Sequence, residues 1–267
     1  MGIKNLNGYL NTNCSKNSIQ KIHIQNLAGK TIVIDTSIYI YKYLKEDNFL
    51  NGFKDLINLF LDNHVHPIFV FDGKCPSTKK QLQKLRNEKK CMAEKEDNAN
   101  SNNSELKKVV RVEYKNLIDL KELMSEYNVE VVQAEWEADE ICVSYMKNRT
   151  AWACLSDDMD MLVHGCERVI REFSTLSKKG VLYLLPSILR DLKFSMKSFR
   201  EIMVLSGTDY NIVTSSDITL YNTLKLYNKY VNNKSSYGIS FYEWLLMNTT
   251  YIKNYDMLMT ALAVFEK

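Results

Sequence analysis

The sequence predicts an α/β fold: a mainly parallel central sheet with helices on both faces, a helical insertion and a small C-terminal helical region. Short apolar runs, KTIVI, PIFVF, VEVVQ and AWACLS, alternate with helix-patterned stretches, as βαβ units do. Most of these runs are apolar throughout, the pattern of strands buried on both faces. Hydrophobic residues make up 45% of the 267 positions, ample for a sizeable core in one large or two small domains.

In chain order, KTIVID is read as a strand, FKDLINLFLDNH as a helix and PIFVFD as a second strand. VEVVQ follows as a strand, WEADEICVSYMKN as a helix and AWACLS as a strand. RVIREF and VLYLL read as further strands joined through the turn signal SKKG, Ser177 to Gly180. From Pro186 the pattern turns helical, with SILRDL and then MKSFREIMVLSG, which closes at Gly207 as a C′ glycine. The Tyr- and Asn-rich remainder to Lys267 is helical by pattern. Between Asp72 and Val129 lies a long excursion. Its first half, STKKQLQKLRNEKKCMAEKE, is a basic helix, and its second, ELKKVVRVEYKNLIDLKELMSEY, is amphipathic. The joining segment DNANSNNS is too polar to pack.

The formal charge of +3 is too small for a global polyanion binder, so any nucleic-acid site must come from local clustering. No apolar stretch approaches a membrane span, and MGIKNL lacks both a signal-peptide pattern and, with Leu6 in place of Ser or Thr, a myristoylation pattern. The six cysteines form no CxxC pair and read as reduced core residues of an intracellular protein. His64 and His66, before the second strand, carry no metal signal of their own.

The chemistry is concentrated in carboxylates placed where the apolar runs end. Asp35 follows KTIVI, Asp72 follows PIFVF, and Asp158 and Asp160 lie beyond AWACLS. Glu137 and Asp139 follow VEVVQ, and Asp209 stands in SGTDY. Open α/β sheets bind ligands outside the carboxyl ends of their strands. Two anions about 4 Å apart repel by roughly 4 kcal/mol at an effective dielectric near 20, so a gathered set calls for cations. For each acid alone, a turn former or helix N-cap is the competing role. An i, i+2 spacing puts Asp158 and Asp160 on one side if the strand runs on to Asp160. Glu137 and Asp139 are expected at the irregular entry to a helix, where free N–H groups favour acids. Glu135 and Asp157 are read as solvated neighbours.

MGIKNL, VIDTSIYIY, VFDGKCP, WEADE, LSDDMDML and SGTDY occur in that order over roughly residues 1–210. Together they resemble the flap endonuclease family of structure-specific 5′ nucleases. The resemblance implies a PIN-like nuclease core over 1–206, with 74–116 as a helical arch, and a C-terminal region over 207–267. It implies that Asp35, Asp72, Glu137, Asp139, Asp158, Asp160 and Asp209 hold two Mg2+ ions, with Mn2+ able to substitute. Such hard cations prefer oxygen ligands, and a metal pair supports in-line hydrolysis of a phosphodiester. Lys79 and Arg86, seven apart and so on nearly one helical face, match the family's positions for cations reaching the scissile phosphate. A solvated surface helix is the alternative for them. Lys74, Lys80 and Lys84, with Lys89 and Lys90, suit phosphate steering. Tyr41 matches a position that stacks an aromatic ring on a base, although a chain with 16 tyrosines uses many structurally. Gly2 matches the N-terminal segment near the substrate.

The implied partner is DNA with 5′ flaps, nicks or free 5′ ends, handled by a monomer in nucleus or cytoplasm. The compact size and Asn-rich composition also fit a viral member working at a viral replication site. Two departures stand out. Where relatives carry a glycine-rich helical hairpin that grips duplex, this chain reads NIVTSSDITLYNTLKLYNKY, without glycine. No glutamine-led aromatic tail of the sliding-clamp type is found. AGKT at Ala28 to Thr31 is no P-loop, since its first glycine is missing and it precedes its strand. A covalent aspartyl phosphatase is weakened by the lack of a second acid two residues after Asp35. The remaining rivals are a non-catalytic DNA-binding or scaffold protein with this fold, and a nuclease acting mainly on RNA.

Overall fold

The computed structural model describes residues 3–74, 112–211, 217–233 and 238–266. They form two compact units: residues 24–142, and residues 1–23 together with 143–267. Among the described residues the strands form a mixed, mostly parallel arrangement with helices between them, as the sequence predicts.

In the 24–142 unit, β2 (Thr31–Asp35), β3 (His66–Phe71) and β4 (Glu130–Gln133) are parallel neighbours, with Asp35 opposite Val70 and Phe71 opposite Gln133. Ile32, Val33, Ile34, Phe69 and Val70 are buried, as unbroken apolar strands between helix layers must be. Helix α3 (Phe49–Asp62) buries Phe53, Leu56, Ile57 and Phe60, a single stripe at i, i+3, i+4 and i+7. Its Gly52 lies against the Tyr43 ring of α2 (Thr36–Lys45), where a Cβ would come within 2.6 Å of a ring carbon. Beyond the excursion, the amphipathic pattern becomes α4 (Tyr114–Glu126), which buries Leu120, Leu123 and Met124.

The other unit contains α1 (Leu6–Asn13), β1 (Ile19–His23), β5 (Ala153–Leu155), β6 (Arg168–Ser174) and β7 (Lys179–Leu184). Their order is β1, β7, β6, β5, antiparallel across the first two junctions and parallel at the last. The β6–β7 hairpin forms as expected, but its turn is residues 175–178, two positions earlier than SKKG suggested, since Lys179 and Gly180 already belong to β7; the register is irregular between Arg171 and Ser174. Strand β1 was not anticipated, because IQKIH exposes two polar residues and buries only Ile22. After α6 (Asp160–His164) and α7 (Leu185–Leu192), α8 (Met196–Ser206) is capped by Ser195 and ends at Gly207, whose φ of 109° suits glycine.

Helices α9 (Leu220–Val231), α10 (Phe241–Asn248) and α11 (Tyr255–Glu266) all pack on α8. Two tyrosines of this region are structural: Tyr227 meets Phe194 and Phe241 edge-on at 5.4 and 5.1 Å, and Tyr242 donates from its hydroxyl to the Glu201 carbonyl. Edge-to-face pairs of this kind favour the ring quadrupoles.

Candidate active site

In the 24–142 unit Asp35 and Asp72 sit at strand ends, and hydrogen bonds fix them there. Asp35 ends β2 and caps α2, one carboxylate oxygen accepting the Ser37 N–H at 3.2 Å. The N-cap role that competes with metal binding is therefore filled by part of the same carboxylate. Asp72 follows β3. Its Oδ1 accepts the Ala138 N–H at 2.8 Å, at the start of α5 (Ala138–Lys147), and its Oδ2 accepts the Ser37 hydroxyl. Ser37 thus ties both acids together, through its N–H to one and its hydroxyl to the other. Glu137 immediately precedes α5 and Asp139 lies in its first turn, both half-buried, as expected for acids at a helix entry.

Gly73 explains how the loops after β3 and β4 come together. Its N–H donates to the Trp136 carbonyl at 2.6 Å and the Lys74 N–H to the Glu135 carbonyl at 3.0 Å. A Cβ on Gly73 would stand 2.2 Å from the Ala134 carbonyl oxygen and 2.3 Å from that of Glu135, so only glycine fits. Gln133 adds a bond from Nε2 to the Asp72 carbonyl at 2.7 Å, and Lys121 donates to its Oε1 at 2.8 Å. Ser37, Gly73 and Gln133 were not among the expected site residues. Gly73 stood in the VFDG block, and the other two carried no distinguishing signal.

In the second unit the acids sit on a turn and a short helix. The expected strand does not run on to Asp160: β5 ends at Leu155, and Asp160 opens α6. The Asp160 N–H donates to Asp158 Oδ1 at 2.9 Å, so the Asp158 carboxylate holds the first residue of the short helix two positions on. Asp160 is buried, and Asp158 half-buried. Asp209 is buried in a tight turn after Gly207, in which Thr208 and Asn211 exchange main-chain hydrogen bonds of 3.1 and 3.2 Å.

Of the other expected residues, Tyr41 lies on α2 with 54% of its surface exposed, and Lys74 is exposed beside Asp72. Gly2, Lys79, Lys80, Lys84 and Arg86 lie outside the described residues. Among the described residues, no group of three or more His, Cys, Asp or Glu side chains forms a ready metal cage. The donors themselves, carboxylate oxygens already oriented by N–H and O–H groups, have the chemistry that hard divalent cations require.

Residues 1–93 match the XPG N-terminal domain and residues 128–209 the XPG I-region. Flap endonuclease 1 of Plasmodium vivax is 29% identical over 85% of this chain and 43% of its own length. The chain belongs to the flap endonuclease family. Another relative, flap endonuclease 1 of Entamoeba dispar, is 28% identical over 87% of this chain and 69% of its own length. The chain spans about half the length of the Plasmodium relatives, from 40% for Plasmodium falciparum (isolate 3D7) to 56% for Plasmodium yoelii yoelii. Among solved structures, the catalytic core of Rad2 in complex with DNA substrate superimposes with a TM-score of 0.71, at 20% identity over 100% of this chain and 81% of that one. Flap endonuclease-1 from Methanococcus jannaschii gives a TM-score of 0.66, at 23% identity over 92% of this chain and 81% of that one. The flap endonuclease blocks contain every acid described above: the first two lie in the N-terminal match and the other five in the I-region match.

Proposed function

We propose that this chain is a metal-dependent, structure-specific 5′ nuclease that hydrolyses DNA phosphodiester bonds, as a flap endonuclease or 5′ exonuclease, in replication, repair or recombination. The observation that carries this reading is the fixing of Asp35 and Asp72 by one residue, Ser37, with Gly73 locking the adjoining loop. A set of acids held so firmly by main-chain donors is pre-organised for charge chemistry. Asp35, Asp72, Glu137, Asp139, Asp158, Asp160 and Asp209 are the ligands for two divalent cations, Mg2+ in the first instance and Mn2+ as substitute. When bound, such ions lower the pKa of a water and stabilise the leaving oxygen of an in-line displacement.

The chain's own groups do the rest. Ser37 and the Ala138 N–H keep Asp72 oriented, and Asp158 orders the start of α6. Lys79 and Arg86 neutralise the scissile phosphate. Tyr41 offers an exposed ring for stacking on a base. Lys74, Lys80 and Lys84 steer phosphates, and Gly2 lies near the substrate. In this reading residues 1–206 are the nuclease core, 74–116 the arch that selects free 5′ ends, and 207–267 a C-terminal region with a degenerate duplex-binding element. The protein acts inside the cell as a monomer.

A second reading, a non-catalytic DNA-binding protein with the same fold, draws on the absence of a ready three-acid cage among the described residues. One assay separates the two. A 5′-labelled DNA flap, a nicked duplex and a matching RNA flap are each incubated with Mg2+ or EDTA, using wild type and Asp158→Ala. Metal-dependent cutting near the DNA flap junction, lost in the variant, is the expected result. Tight binding without cutting by either protein would support the scaffold reading, and preferential cutting of the RNA flap would change the substrate class.

A further inference from the structure

The acidic turn of the second unit contains one carboxylate that no metal role accounts for. Asp157 precedes Asp158 and is exposed, as a solvated neighbour of the ligands would be. It is held all the same. Its Oδ1 accepts the main-chain N–H of Glu172 at 2.7 Å, and its carbonyl accepts the Arg171 Nε–H at 3.1 Å.

That Glu172 N–H is available because β6 is irregular at this point. The β6–β7 register shifts between Arg171 and Ser174, and Glu172 has a φ of 52°. A non-glycine residue in the left-handed region is uncommon. Bulges bend a strand, remove one residue from the ladder and occur often beside functional sites, where they redirect a group. Arg171 is itself anchored, its guanidinium 5.5 Å from the centre of the Tyr183 ring, whose hydroxyl donates to Asn7. One residue earlier, the Ser156 N–H donates to the Ile170 carbonyl at 3.1 Å.

These bonds run in series into the acids. The Ser156 and Asp157 main chain is held on β6, the Ser156 hydroxyl accepts the Asp158 N–H at 3.2 Å, and Asp158 accepts the Asp160 N–H. We propose that Asp157 is a positioning residue that clamps the 156–160 turn to the β6 bulge and so sets where Asp158 and Asp160 stand. The idea rests on the reading of those two acids as metal ligands. Partners of metal ligands are known to matter, their loss costing about 10–100-fold in metal affinity or activity.

Asp157→Asn keeps an oxygen acceptor for the Glu172 N–H, whereas Asp157→Ala removes it. Two readouts are compared: amide exchange over residues 156–174 in the metal-free protein, and single-turnover cleavage of a DNA flap across a Mg2+ titration. In Asp157→Ala, exchange should quicken at Glu172 and through the turn, and the Mg2+ needed for half-maximal cleavage should rise about tenfold. Asp157→Asn should return both to within about twofold of wild type. Arg171→Lys, which keeps the charge near Tyr183 and loses the Nε donor, should shift exchange in the same direction by less.

Unchanged exchange in Asp157→Ala would overturn the clamp, whatever the activity. Equal defects in the Ala and Asn variants would assign the role to the charge and overturn it as well. A lowered melting temperature with an unaltered Mg2+ dependence would leave Asp157 a merely structural residue. Should wild type cut no substrate, the nuclease reading fails while the exchange comparison still decides the clamp.

Discussion

The two units solve one problem by different means. In the 24–142 unit Asp35 and Asp72 stand at the ends of strands, and the main-chain contacts of Gly73, together with the N–H and hydroxyl of Ser37, place them. In the other unit the acids stand beyond a strand of three residues, on a turn and a five-residue helix, and side chains place them: Ser156, Asp157 and Asp158 each accept an N–H. Acids placed by main chain depend on what a residue lacks, a Cβ in the case of Gly73. Acids placed by side chains depend on which atoms a residue keeps, so conservative replacements there should be tolerated when the acceptor survives.

The sharpest way to break this contrast is Gly73→Ala. The added carbon would meet two carbonyl oxygens, so the loops after β3 and β4 must separate. Single-turnover cleavage should fall at least about 100-fold, the cost of misplacing a catalytic group by about 1 Å. Cleavage near the wild-type rate would show that the loop contact does not position Asp72.

Ser37→Ala comes next. It removes the hydroxyl bonded to Asp72 while keeping the N–H bonded to Asp35. Hydrogen bonds to charged groups contribute about 1.5–3 kcal/mol, so a loss of roughly tenfold or more in rate is expected, with Ser37→Thr restoring most of it. A variant with wild-type kinetics would break the link between the two strand-end acids. Gln133→Ala, which removes a neutral bond to the Asp72 carbonyl, should cost less, about threefold. A larger loss than that of Ser37→Ala would reverse the assigned order.

The smallest effect sharpens the comparison with an acid outside both sets. Burial raises the pKa of Glu201 on α8; Lys197, at 3.9 Å, lowers it, and Glu266 raises it further. Because the folded state holds this proton more tightly than the unfolded state, the stability it contributes is complete at low pH. It is lost as the pH rises through the raised pKa. Glu201→Gln should therefore melt above wild type near neutral pH, by roughly 2–4 °C for each kcal/mol regained, and match it in acid. A melting difference that does not change with pH would contradict this, and flap cleavage should be unaffected.

The contrast also explains what could be read from the sequence. Asp35 and Asp72 were legible because an unbroken buried strand announces its own end. The entry of Glu137 and Asp139 into α5, the β6–β7 hairpin and the Gly207 stop were legible for similarly local reasons. Asp160 was misplaced because AWACLS has the apolar length of a longer strand, whereas β5 ends at Leu155. Strand β1 was hidden because its residues pair with β7 while leaving polar side chains outside, and pairing leaves no periodic mark there. Ser37, Gln133 and Asp157 act through bonds to residues 35, 61 and 15 positions away, which no local pattern encodes.

The central claim is that acids from both units serve the chemical step and not substrate capture. It is tested most directly by Asp72→Ala and Asp158→Ala side by side, measuring flap-DNA binding by anisotropy in Ca2+ and single-turnover cleavage in Mg2+. Both variants should bind within a few-fold of wild type and cut at no detectable rate. Near wild-type cleavage by either variant, or equal loss of binding and cleavage in both, would contradict the account.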